Sequence, residues 1–151
     1  MSFVGDEPGP LHQRSTARAA AAETDAGRML DGYARRCREV LDRSAPLHHD
    51  LCSAAAVDPE AAALLARVEH QRLMGQSGVA RALADRGALA DGVTEDEARD
   101  VIFTMMSPEV HRILTVQRGW SPDRYERWLA RSLRALLLPH TLEAPPRRRR
   151  A

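Results

Sequence analysis

The residues best suited to chemistry lie in "LHHDLC", where His48, His49, Asp50 and Cys52 stand together. Metal-ligating histidines on a helix sit three or four residues apart, so that both reach one ion. His48 and His49 are adjacent and point about 100° apart, so they cannot share a face. His70 could join one of them from a later helix. The spacing favours solvent-facing or locally bonded histidines, and it predicts no metal site and no cofactor. Glu69 with His111 can be drawn as an acid–base pair, but any helical bundle offers such pairs. "RGALADG" follows no strand and lacks the Lys-Ser/Thr element of a phosphate loop. No serine stands in a nucleophile elbow. The residues therefore point away from an enzyme. Met29, Met74, Met105 and Met106 remain, either as the lining of an adaptable apolar pocket or as core filler.

The elements that must position these residues announce themselves by their caps. After "GDEPGPL", a short alanine-rich helix is expected over Thr16 to Ala22. Thr24 then caps a longer helix with Met29, Leu30, Tyr33, Cys37, Val40 and Leu41 on its apolar face. Pro46 is expected to interrupt it, and a short helix follows with Leu47, Leu51 and Ala55 on one side. Asp58-Pro59 opens the longest helix, to about Arg86, built on Leu64, Leu65, Val68, Leu73, Val79 and Leu83. Gly75 and Gly78 inside it each cost about 1 kcal/mol relative to alanine, which suggests a bend or a close approach by a backbone or ligand. "RGALADGV" ends that helix, and Thr94 with Glu97 forms a capping box for the next. Ser107-Pro108 restarts the chain and Gly119 stops it. Ser121-Pro122 caps the last helix, with Trp120 and Tyr125 placed as a hydrophobic staple. No run alternates long enough to be a strand, so the fold class is all-α.

Composition agrees. A chain of 151 residues with 44% hydrophobic residues can bury a single core. Aromatics are sparse at 4% and alanine dominates, which favours helix. The net charge of +1 creates no field toward nucleic acid or membrane. Lysine and asparagine are absent and the only isoleucines are Ile102 and Ile113, a pattern of GC-rich coding that inflates arginine. Cys37 and Cys52 read as reduced, buried thiols in a cytoplasmic protein. No segment has the roughly 18 apolar residues needed to span a membrane, and the acidic start is unlike a signal peptide.

The end of the chain carries surplus apolar surface. Ala98, Val101, Ile102 and Met105 form one stripe, and Phe103, Met106 and Val110 another, continued by Ile113 and Leu114. The last helix adds Tyr125, Trp128, Leu129, Leu133, Leu136 and Leu137. A helix apolar on more than one side must be covered on more than one side. Two arrangements satisfy that: completion of the protomer core, or a two-fold four-helix bundle with a second copy.

Three stretches decide how these helices are read as a set: "SAAAVDPEAAALLARVEHQRL", "ALADRGALADGVTEDEARDVIFTMMSPEVHRIL" and "RGWSPDRYERWLARSLRALLLP". In order, spacing and cap residues they resemble the C-terminal regulatory domain of TetR-family transcriptional regulators, from about Gly5 to Pro139. The resemblance implies a ligand-sensing, homodimeric, all-helical domain of a repressor. By it, Met106, Val110, Ile113, Leu114, Trp120, Tyr125, Trp128, Leu129, Leu133, Leu136 and Leu137 fall in the dimer interface. Met29, Tyr33, Leu51, Leu73, Met74 and Phe103 fall near a pocket for a small, largely apolar effector. The layout expected is an N-terminal loop and short helix over 1–23, the effector-binding and dimerisation domain over 24–139, and a disordered arginine-rich tail over 140–151.

Family members begin with a helix-turn-helix whose recognition helix enters the major groove. These 151 residues contain none, so operator DNA is expected to be reached only through a domain not in this sequence. A truncated gene product and a stand-alone partner that heterodimerises with intact repressors both fit; a small helical enzyme fits less well. The arginines of "APPRRRRA" offer only weak, salt-sensitive phosphate contacts.

Overall fold

A computed structural model describes the backbone of residues 11–140 and the side chains of residues 25–140. The expectations for residues 1–10 and for the arginine tail lie outside the described residues. Five α-helices follow one another: α1 (Leu11–Ala55), α2 (Pro59–Asp85), α3 (Glu95–Met105), α4 (Pro108–Arg112) and α5 (Pro122–Leu137), with a π-helical turn at Ile113–Gln117 before α5. No strand occurs among the described residues, so the chain is all-α.

The caps fall where the side chains predict. Asp58 accepts from the Glu60 amide at 2.8 Å and Pro59 opens α2. Thr94 accepts from the Glu97 amide at 3.1 Å. Ser107 and Ser121 accept from the amides of Val110 and Arg124, each followed by proline. Helix α2 ends at Gly87, whose φ of 64° lets the Ala88 amide return to the Leu83 carbonyl and the Gly87 amide to that of Ala84. Trp120 departs from the staple: its ring lies under the Arg124 guanidinium, 4.1 Å from the ring centroid, and edge-on to Trp128.

Two expected breaks are absent. The short first helix and the one expected from Thr24 are both parts of α1, so Thr24 lies within a helix and not at its start. Helix α1 also runs through Pro46. An interior proline costs about 3 kcal/mol, and burial on both sides of it holds the helix: Leu41 and Ala45 before it and His48 after it are all buried.

Helix α1 is the spine. Its Ala26, Leu30, Ala34 and Leu41 are buried against Ala80 and Leu83 of α2, Ala98 and Ile102 of α3, and the stripe Tyr125, Leu129, Leu133 and Leu137 of α5. Residues four apart make that stripe nearly straight along α5, and all four are fully buried. Ion pairs flank it. Arg38 donates from Nε to Glu126 Oε2 at 3.0 Å, and Arg134 forms a two-point pair with Asp31. The Arg134 guanidinium passes over Gly27, where an added Cβ would lie 2.8 Å from it. A side chain there would push the flexible, half-exposed Arg134 aside.

These contacts divide the expected dimer interface. Met106, Tyr125, Leu129, Leu133 and Leu137 are buried inside the protomer and have no surface to give a partner. The reading of Leu133 as a seam residue is therefore corrected: it is core. Ile113, Val116 and Leu136 keep 43–62% of their surface exposed, and Val110, Leu114, Trp120 and Trp128 are half-buried. Gly75 and Gly78 lie on the exposed side of α2, and a Cβ at either would meet nothing within 4 Å.

Candidate functional site

A pocket lies between α1, α2 and the junction of α3 and α4. It has a volume of about 350 Å³ and is open to solvent along Val40 and Leu47, which are 53% and 71% exposed. One wall comes from α1, where Cys37, Val40, Leu41, Ser44, Leu47, His48 and Leu51 recur at helical spacing across Pro46. The facing wall comes from α2, where Val68, Arg72 and Gln76 are spaced four apart. Met106 and Pro108 close the end. The size lies in the usual range for small-molecule sites and well above the roughly 150 Å³ that admits a benzene ring to a dry apolar void.

The polar groups on these walls are unequal. Arg72 is committed: it donates to Glu69 Oε2 at 2.7 Å and to the Phe103 carbonyl at 3.2 Å, and lies 4.4 Å from the Phe103 ring centroid. Glu69 also meets His48 Nε2 at 2.9 Å. Burial pushes the Glu69 carboxyl up, but the hydrogen bonds and charges of His48 and Arg72 outweigh it and hold the carboxyl below its ordinary range. Burial pushes the Cys37 thiol up to about 11, so it stays protonated at neutral pH. Gln76 differs from all of these. Its side chain is buried and its Oε1 has no hydrogen-bond partner. An acceptor left unpaired costs roughly 1–3 kcal/mol, but the oxygen is closed off from the pocket as it stands, so a ligand meets it only when the side chain turns. The site thus offers a half-open apolar pocket with one buried, unpartnered amide oxygen on its wall.

Of the residues expected near a pocket, Leu51 lines this cavity. Met29 and Tyr33 pack against the core, Leu73 is half-buried, and Phe103 serves Arg72 from outside the lining. Met74 is 59% exposed and takes no part. Met106, expected in the dimer interface, is instead at the cavity's end. Cys37, Val40, Leu41, Ser44, Leu47 and His48 were hidden by placing a helix break at Pro46, which divided one continuous face in two.

The imagined Glu69–His111 pair does not form. Glu69 bonds His48, and His111 Nε2 lies 3.0 Å from Asp42 Oδ1 with its ring edge-on to Tyr125. Beside the cavity, His48 Nδ1 lies 3.6 Å from Cys52 Sγ and 3.9 Å from Glu109 Oε1. A Cys52–His48–Glu69 chain resembles a nucleophilic triad in connectivity. Its electrostatics oppose that use: burial, then the charges of Glu109 and Glu69, push the Cys52 thiol up and away from thiolate.

No family model, curated protein or solved structure matches this chain.

Proposed function

We propose that this chain is the ligand-sensing and dimerisation portion of a TetR-like transcriptional regulator, taking a small, largely apolar effector with a hydrogen-bond donor. The resemblance of the three quoted stretches supports the regulator, and the all-α architecture agrees with it. The observation that carries ligand sensing is the pocket with its apolar lining, on whose wall Gln76 holds a buried carbonyl oxygen without a partner. It touches α1, α2 and the α3–α4 junction together, so an occupant bears on the relative placement of all three. Dimerisation would use apolar surface that the protomer leaves uncovered, including Ile113, Val116 and Leu136.

A thermal-shift screen of hydrophobic compounds tests this function. Binding to the folded state alone adds RT ln(1 + [L]/Kd), about 2.7 kcal/mol at a hundredfold excess. For a chain of this length that corresponds to roughly 5–11 °C. Hits should share a donor group, and Gln76→Leu should reduce their shifts. A broad apolar library without a hit would refute the sensing role.

A further inference from the structure

Beside the pocket, His48, Cys52 and Glu109 bring three metal-ligating side chains together. His48 and Cys52 stand four apart on α1, so both side chains leave the helix on one face. Glu109 comes from α4, and one ligating atom of each of the three residues lies within 4.8 Å of the others. Bond lengths of 2.0–2.3 Å in a tetrahedral zinc site place nitrogen and sulfur ligands about 3.6 Å apart, and nitrogen and oxygen about 3.4 Å apart. The measured separations are 3.6 Å for His48 Nδ1 to Cys52 Sγ and 3.9 Å for His48 Nδ1 to Glu109 Oε1. Glu109 is 62% exposed, so a small rotation of its side chain can close the difference.

Glu69 supplies the independent argument. Nε2 of His48 is held against the Glu69 carboxylate at 2.9 Å, so in the neutral imidazole that nitrogen keeps the proton. The lone pair of that form is on Nδ1, the nitrogen that faces Cys52 and Glu109. Metal-ligating histidines are oriented in this way, with the second ring nitrogen donating to a carboxylate. Arg72 in turn holds the other Glu69 oxygen at 2.7 Å, so the buttress is itself fixed.

We propose that His48 Nδ1, Cys52 Sγ and Glu109 bind a divalent transition metal, with zinc the best match to a mixed nitrogen, sulfur and oxygen set. The fourth position belongs to solvent or to a heteroatom of a bound molecule. Loss of the thiol proton to buffer leaves two anionic ligands that neutralise the dication. The ion links α1 to α4 directly and to α2 through Glu69. This site does not depend on the regulator reading.

Cobalt tests it. The untagged full chain, stripped with chelator, should bind one equivalent of Co²⁺, with a thiolate-to-cobalt band in the near ultraviolet and intense tetrahedral visible bands that Zn²⁺ displaces. Cys52→Ser should remove the ultraviolet band, while Cys37→Ser keeps it. Glu69→Gln should weaken binding about 10–100-fold with the spectrum unchanged in shape. Circular dichroism confirms that each variant is folded; for a variant that is not, carboxymethylation of Cys52 in the wild type replaces it and should also block the band. No cobalt–thiolate band, a band that survives Cys52→Ser, or full affinity in Glu69→Gln would overturn the site.

Discussion

Leu133→Ala separates a core residue from an interface residue. Leu133 is 0% exposed within one chain, in the middle of the α5 stripe between Leu129 and Leu137. Truncating a fully buried leucine costs about 2–5 kcal/mol, more when the surroundings cannot close around the void. Its neighbours are held by α1 on one side and by the Arg38–Glu126 and Asp31–Arg134 pairs at the flanks, so the upper half of that range is expected. With roughly 2–4 °C per kcal/mol at this chain length, Tm should fall by about 7–20 °C. Leu136, three positions further on but 49% exposed, should move Tm by no more than a degree or two on truncation. Scanning calorimetry at two protein concentrations reads both effects. The Leu133 loss should be the same at each concentration, because the contact lies inside the protomer. A Leu133→Ala protein that keeps its Tm but halves its mass by light scattering would refute the packing of α5 on α1.

Gly75→Ala and Gly78→Ala should each stabilise the chain by up to about 1 kcal/mol in urea denaturation, since both positions are helical and open; destabilisation would mean that something packs there. The Glu69 carboxyl, held below its ordinary 4.5, contributes stability that is present above that pH and is lost as pH falls through the lower folded value. The Tm advantage of wild type over Glu69→Gln should therefore shrink below pH 4.5, and an advantage that grows with acid would contradict the network. Cys37, with its thiol at about 11, should alkylate slowly at pH 8 and roughly tenfold faster per pH unit toward that value. A bound effector should protect it in a mass-spectrometric alkylation assay, and unchanged labelling would place the effector elsewhere.

Local signals in the sequence were legible because their causes are local. Asp58-Pro59, Thr94, Ser107-Pro108 and Ser121-Pro122 cap helices with their own side chains, and Gly87 and Gly119 take positive φ where the chain turns. Pro46 failed as a signal because its cost of about 3 kcal/mol is offset by burial that only the tertiary fold supplies. The continuous face from Cys37 to Leu51 was lost with it. Periodicity marked Tyr125, Leu129, Leu133 and Leu137 as a face, but it carries no information on what covers a face; α1 of the same chain does. The His48–Cys52–Glu109 juxtaposition is invisible to local spacing for a related reason. Adjacent His48 and His49 drew attention to a pair that cannot share an ion, whereas the useful spacing is His48 with Cys52. Their partners, Glu69 and Glu109, lie 21 and 61 residues beyond His48, out of reach of any local pattern.

The location of a bound effector tests the central reading most directly. Methyl-resolved NMR of the labelled chain, titrated with a thermal-shift hit, reports each apolar side chain separately. Saturable shifts should be confined to Val40, Leu41, Leu47, Leu51, Val68 and Met106, which line the cavity. Leu73, Met74 and Leu136 should stay still. Shifts centred on Met74 and Leu73, or on Ile113 and Leu136, would contradict the cavity as the sensing site.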